Sequence, residues 1–486
     1  MIMTKLNVNR LEEQIVPDDR RVISRFFGVG DESRYQSLIH RVLNLTQNET
    51  ADLLNQVLTD FDQRHRDIAA TFADHYERVK HLVPRNHLLS EHRRLLIGAY
   101  FTMEYAIESA ALFNPSIVRS PSQDGIPSDS TRYIMSLRAT GEGHVSSIVF
   151  RRVVIDRENQ LQLEPVSDYT HRLKVVSDRH YDKHLFWLKL REMGAYNDQS
   201  EIVMQLLNDG FTLHDLNNAI EQARQIINVA DHFDETTEQM LWLARSNYQL
   251  EVPADVDPSA IVIFPSSDNE IRGIEDVRLV EFTDDDGSVR YYGTYTAFNG
   301  IRILPQLIES VDFRTVRVHT LNGRYVQNKG LALFPRRIDG EYVMVARIDG
   351  ENLYLCRSDN IHFWNDAELI QDPKHPWEYV QIGNCGSPLE TEAGWLMLTH
   401  GVGPMRRYCI GATLLDREDP SIVKGQLQEP LLVPEETERD GYVPNVVYTC
   451  GAVIHCDTLI MPYAVSDWAT RFATVDVPEL LDHLMG

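Results

Sequence analysis

A strand, a tight turn and a second strand recur along this chain, and that repetition limits its fold more than any other feature. The clearest copy runs over residues 277–282, an Asp-rich turn ending in Gly287, then 290–298. It returns as 331–338, Asp339-Gly340 and 342–348, and again as 387–390, Ala393-Gly394 and 395–402. A last copy is 446–455, a turn at Asp457, then 459–465. Asp-Gly supplies the positive φ that two-residue hairpin turns need. An earlier stretch fits the same template, with runs at 110–118, 133–140 and 146–155. Five hairpin-centred modules, starting near residues 110, 261, 331, 387 and 446, favour a five-bladed β-propeller over a sandwich.

The rest of the chain reads as helical. Thr46-Gln-Asn-Glu49 is a capping box, and Leu53, Leu54, Val57, Leu58, Phe61, Ile68 and Phe72 follow at three- and four-residue spacing. A second helix is expected after Ser90, running to about Leu112. A third group spans roughly 181–248, with starts at Ser200 and at Thr212-Leu-His-Asp215 and a stop at Gly210. The expected fold is therefore mainly β with added α. Its parts are an N-terminal helical region (1–109), a first blade (110–169), a helical insertion (170–255) and the remaining blades (256–486). The helical regions suit either a cap over the channel or the subunit interface of a homo-oligomer, and their stripes leave both open.

Charge narrows the partners. With 47 basic against 72 acidic residues, the formal net charge is −25. That disfavours nucleic acid, whose binding rests on phosphate neutralisation, and anionic membrane surfaces. An anion handled by this chain must meet a local basic cluster set against the global field. The longest apolar runs, such as 95–105, fall short of a membrane span, and residues 1–10 lack a signal h-region. Five cysteines (Cys356, Cys385, Cys409, Cys450 and Cys456), with no C-x-x-C pair, suit reduced thiols and a cytoplasmic location.

The second strands of the modules end in polar residues at matching places: Arg138, Tyr295, Arg347, His400 and Tyr463. One end of a propeller channel would gather such positions into a single site. Gly273-Ile-Glu-Asp-Val-Arg278 is the sharpest local feature, with two carboxylates and a guanidinium around a tight turn. As chemistry, Asp276 can serve as a general acid. As structure, it can pair with Arg278.

The run Gly-Ile-Glu-Asp-Val-Arg-Leu, followed by Tyr-Tyr-Gly-Thr-Tyr-Thr-Ala, resembles the central motif of glycoside hydrolase family 130, the β-mannoside phosphorylases and β-mannosidases on five-bladed propellers. Leu-Phe-Asn-Pro (112–115), Asn-Lys-Gly-Leu-Ala-Leu-Phe-Pro (328–335), Gly-Trp-Leu-Met-Leu-Thr-His-Gly-Val (394–402), Tyr-Cys-Ile-Gly-Ala-Thr-Leu-Leu-Asp (408–416) and Gly-Tyr-Val-Pro-Asn-Val-Val (441–447) continue the series in family order. The resemblance covers about 110–165 and 256–486.

It implies that Asp276 is the general acid and that Asn114 and Arg138 grip the mannose. Asp467 would act against the sugar, with Tyr295 as a further substrate contact. It also implies an anion site of Arg347 and His400, joined by Lys329 and by Arg407 or its neighbour Arg406. Val277 departs from the family's Pro after the acid, and Ala346 stands where the phosphorylases commonly carry His. Gly330 and Cys409 stand where charged or polar residues are frequent.

Three functions follow as expectations. The first is inverting phosphorolysis of β-mannosides to mannose 1-phosphate, with no cofactor and inorganic phosphate as co-substrate. The second is an inverting β-mannosidase, and the third a non-catalytic sugar-binding propeller. Water as nucleophile needs a second carboxylate about 6.5–9.5 Å from the acid, for which Glu390, Glu142 and Glu275 are candidates. Phosphate needs cationic clamps instead. His180-x-x-x-His184 lacks a third zinc ligand and Asp284–Gly287 lacks the length of a calcium loop, so no metal is expected, and Gly28-Val-Gly30 lacks the third Gly of a nucleotide loop, so no cofactor is expected.

Overall fold

The computed structural model describes residues 6–84, 88–176, 179–226 and 233–486. His180 and His184 fall within them, and among the described residues no group of three or more His, Cys, Asp or Glu side chains could hold a metal ion. The fold is mainly β with helical additions. No described helix is long and apolar enough to cross a membrane.

Five antiparallel meanders carry the β-structure among the described residues. The first contains Ala111–Arg119, Thr131–Thr140, Ser146–Ile155 and Leu161–Leu163. The second runs Gly273–Thr283, Val289–Phe298, Ile303–Ser310 and Thr315–Thr320, extended by Tyr248–Glu251. Lys329–Leu333 to Asp366–Gln371 make the third, and Gln381–Asn384 to Val423–Gln426 the fourth. The fifth pairs Val447–Tyr448, Thr458–Val465 and Ala469–Asp476. Positive φ is found at the predicted turns, at Gly287, at Asp339-Gly340 and at Cys456-Asp457.

Apolar side chains join each meander to the next. Phe150 and Ile274 share a core between the first and second, Phe282 and Leu331 between the second and third. Phe334 and Trp395 link the third to the fourth, Leu398 and Met461 the fourth to the fifth. Met135 and Phe472 then connect the first to the fifth. The inner strands, such as Ala111–Arg119 and Gly394–Val402, bury both faces in this arrangement and read as near-continuous apolar runs, while outer strands such as Asp366–Gln371 stay largely exposed.

The N-terminal region departs from the helical expectation. Asn9–Ile15 is a strand and pairs antiparallel with Ala469–Asp476, supplying the outer strand of the fifth meander. The helix after Ser90 ends at Tyr100, not near Leu112. Thr102–Ala106 pairs with Val22–Phe26, and Ala111 begins the first meander. Between these strands Glu32–Leu43, Gln47–Phe61, Ile68–Val79 and Glu91–Tyr100 close their own core around Phe72, Ile97 and Phe101. The Thr46–Glu49 capping box forms as expected.

The helical insertion likewise has its own core, built on Phe211, Leu216 and Leu243. Its second helix, Asp198–Gln205, is capped by Asn197, while Ser200 is the reciprocal partner three residues on rather than the cap. Lys189 anchors the insertion to the second meander, donating from a buried Nζ to Thr320 O at 2.7 Å and Asn247 Oδ1 at 3.0 Å.

Candidate active site

The first strand of each meander faces a common cavity of about 330 Å³, and the site is built where those strands break their ladder. The register slips between Phe113 and Ser116, between Glu275 and Arg278, and between Lys329 and Ala332. A bulge turns one residue out of the pleat and re-aims its side chain. Asn114 (φ 48°) and Asp276 (φ 55°) occupy the first two breaks in the left-handed region, and Gly330 (φ 85°) occupies the third, with Asn328 (φ 62°) just before it. Asp467 (φ 51°) holds the same conformation in the turn of the fifth meander. Asn and Asp tolerate this conformation better than other side-chain-bearing residues, and such strain gathers at functional sites.

Seven of the nine predicted site residues line that cavity: Asn114, Arg138, Asp276, Lys329, Arg347, His400 and Asp467. Asp276 Oδ1 accepts from Asn114 Nδ2 at 2.7 Å and from Arg138 Nη1 at 3.3 Å. Arg138 Nη2 donates to Glu275 Oε1 at 2.9 Å, and Lys329 Nζ to Glu275 Oε2 at 2.6 Å. Arg278 does not pair with the Asp276 carboxylate. Its Nη2 donates to Tyr448 OH at 2.5 Å, and its Nη1 to the Asp276 backbone oxygen at 3.3 Å.

Burial alone would raise the Asp276 pKa, but the charges of Arg138, Lys329 and Arg278 outweigh it and hold the carboxyl below its ordinary value. Asp467 goes the other way, pushed up to about 6 by burial and then by the negative charge of Asp276. Two carboxyl groups in one cavity are thus driven apart, one ionised and one poised near neutrality.

Another part of the lining is basic. Arg347 Nη1 donates to His400 Nε2 at 3.3 Å, and His400 Nδ1 lies 3.1 Å from the Asn384 carbonyl oxygen. These partners assign the proton to Nδ1 and leave Nε2 as an acceptor. Burial, then Arg347 and Arg278, hold the His400 pKa well below normal, so the ring is neutral. In this state it orients Arg347 rather than adding charge, which revises its predicted place as a cationic clamp. The buried Nε of Arg347 has no hydrogen-bond partner.

Two predicted residues lie elsewhere. Tyr295 is buried outside the cavity and donates to Glu270 Oε1 at 2.5 Å. The residue opposite Glu275, where Arg138 stands opposite Phe113 and Arg347 opposite Lys329, is Thr296. A one-residue offset in a strand turns a side chain to the other face. Arg407 sits beside Cys409, and its neighbour Arg406 lines the cavity instead. Tyr463 is also withdrawn, donating to Glu438 Oε1 at 2.6 Å.

Arg278, Tyr408 and Tyr448 are cavity residues that the sequence reading did not assign to the site. Arg278 lay inside the acid motif, but only coordinates separate its contact with Tyr448 from an ion pair to Asp276. A second cavity of about 350 Å³ adjoins the first across Arg138 and Asp467. It is lined partly by Phe298, His144 and Tyr442, the last two stacked with centroids 5.4 Å apart.

Of the candidate second carboxylates, Glu275 is committed to Arg138 and Lys329. Glu390 pairs with Arg336 and Arg417, and neither it nor Glu142 lines the main cavity.

The family described as β-1,4-mannooligosaccharide phosphorylase, glycoside hydrolase family 130, matches residues 243–485. A 1,2-β-oligomannan phosphorylase of Thermoanaerobacter sp. (strain X514) is 33% identical over 230 residues, 45% of this chain and 73% of that protein. A β-1,2-mannobiose phosphorylase of Listeria innocua serovar 6a is 29% identical over 301 residues, 60% of this chain and 81% of that protein. The solved complex of β-1,2-mannobiose phosphorylase from Listeria innocua with β-1,2-mannobiose aligns over 78% of this chain and 93% of that one. Its identity is 20% and its TM-score 0.46.

Proposed function

The chain belongs to glycoside hydrolase family 130, and from that premise we propose that it cleaves β-mannosides by inverting phosphorolysis, releasing mannose 1-phosphate. The observation that carries this reading is the asymmetry of the main cavity. The cationic side chains of Lys329, Arg347 and Arg406 line it with only two carboxyl groups, Asp276, which Asn114 and Arg138 hold, and Asp467, whose proton is retained up to about pH 6. A dianionic nucleophile needs such donors, which also hold charge as it develops.

In this reading Asn114 and Arg138 fix the Asp276 carboxyl and the sugar beside it, and Asp467 contacts the same sugar. Arg347, held by His400, and Lys329 receive phosphate. The adjoining cavity with Tyr442 and His144 takes the leaving sugar. Hydrogen phosphate dianion attacks the anomeric carbon as the glycosidic C–O bond breaks, and the leaving oxygen takes a proton from Asp276, directly or through a substrate hydroxyl. The proton carried by the attacking phosphate then returns to Asp276, so the net reaction consumes none and the acid is restored.

Asp276 is held ionised by nearby cations, and phosphate bound among them would offset their charge. Its pKa would then rise towards a form able to donate.

The five meanders read as the blades of a five-bladed propeller around this cavity, a reading supported by the apolar contacts that run from each to the next and from fifth to first. A cytoplasmic location fits a product that carries a charged phosphate. Proton NMR of the sugar phosphate tests the reaction. Inversion from a β-mannoside predicts the α-anomer of mannose 1-phosphate, and the β-anomer would refute it.

A further inference from the structure

A cleft of about 740 Å³ separates the N-terminal helical region from the β-structure, far larger than the main cavity. One wall is the helix Ile68–Val79, and the other is the strand His171–Arg172 with Lys174 beyond it. In a chain of net charge −25 this cleft is basic. Its two lining carboxylates are already committed. Asp67 caps the helix, accepting from Ala70 N at 2.9 Å, and Asp74 pairs with Lys174. Arg66 pairs with Asp255.

Arg78 and Arg172 are left, one on each wall. Neither forms an ion pair with a carboxylate among the described residues. Arg78 lies over Phe26 at 5.3 Å, while Arg172 and Arg25 both lie over Phe264, at 5.0 and 5.1 Å. Cation–π contacts compensate a guanidinium only in part and leave its N–H donors unused. The cost of crowding shows in the neighbours. Burial, then Arg25 and Arg78, depress Arg172, and burial, then Arg78, push His75 down to about 4.

We propose that this cleft binds the phosphate group of a small organic phosphate ester, with Arg78 and Arg172 as its principal ligands. Planar guanidinia from two walls suit the bidentate recognition of phosphate. The volume exceeds what phosphate alone fills, and the hydroxyl oxygens of Thr71 and Thr170, whose protons go to the Asp67 and Val22 carbonyls, remain as acceptors for the organic part. Because one ligand comes from the helical region and the other from the β-structure, the bound ester would tie the two together.

Isothermal titration of the full chain with glucose 6-phosphate and, separately, with inorganic phosphate tests this. An Arg347→Ala background removes a main anion ligand of the active site. There the ester should bind saturably at one site per chain, at least tenfold more tightly than inorganic phosphate. Arg78→Gln and Arg172→Gln should each weaken it at least tenfold. Arg78 is exposed, so Arg78→Gln should keep the wild-type melting temperature and the wild-type turnover of mannosides. Absent binding, binding lost in Arg347→Ala, equal affinity for inorganic phosphate, or unchanged affinity in Arg78→Gln would each overturn the proposal.

Discussion

Asn114 Nδ2 donates to Asp276 Oδ1 at 2.7 Å, joining the inner strands of two meanders whose residues lie 162 positions apart. Each residue sits at a ladder break with positive φ, a conformation that costs on the order of 1–3 kcal/mol where it is held. The contact therefore exists only when both meanders have folded and packed, which makes it a sensitive marker of an assembled site.

Asp276→Asn keeps the shape and the contact with Asn114 but removes the acidic proton. Turnover of ordinary mannosides should fall by about 10²–10⁴, the usual worth of a positioned acid. An activated mannoside with a good leaving group should lose much less. Melting temperature measured in the same variant separates this from a structural role, under which both substrates would decline together.

Arg347→Ala should raise the KM for phosphate about tenfold to a hundredfold, the scale of a hydrogen bond to a charged group. Its side chain is at the cavity wall and its neighbours have other partners, so the fold should persist. A phosphate KM that does not move would take Arg347 out of the anion site.

Gly383→Ala tests the same wall from behind. A Cβ at Gly383 would lie 2.3 Å from His400 Cε1, so the imidazole must shift and release Arg347. Phosphate KM should rise here too, although Gly383 carries no functional group. Unchanged phosphate kinetics would mean that His400 does not position Arg347.

Asp467 gives a pH signature. Its folded pKa, about 6, is raised above the ordinary aspartate value, so the folded state holds this proton more tightly than the unfolded one. The resulting stabilisation is full below about pH 4 and is lost as pH rises through 6. Asp467→Asn lacks it, so the melting temperature of the variant relative to wild type should climb between pH 4 and 6 and then level off. A difference that stays flat across that window would contradict the burial of this carboxyl beside Asp276.

The hairpin texture and the acid motif were legible because both are local: turn chemistry at Asp339-Gly340, and the clustering of Glu275, Asp276 and Arg278. Arg138, Arg347 and His400 were legible as strand-end polar residues. Tyr295 was not separable from them, since one position of register decides which face a side chain takes and the bulge after Glu275 shifts that register. The strand Asn9–Ile15 was hidden because its partner lies at the far end of the chain and its composition is as charged as a helix surface. The neutral state of His400 depends on burial and on Arg347, 3.3 Å away in space but on another meander, neither of which is written in neighbouring residues.

The most direct test of the account is product analysis on β-1,2- and β-1,4-linked manno-oligosaccharides with and without inorganic phosphate. The account predicts mannose 1-phosphate formed in proportion to substrate consumed, and negligible cleavage when phosphate is withheld. Free mannose released at the same rate in both conditions would contradict it, and would mean that water, not phosphate, is the nucleophile in this cavity.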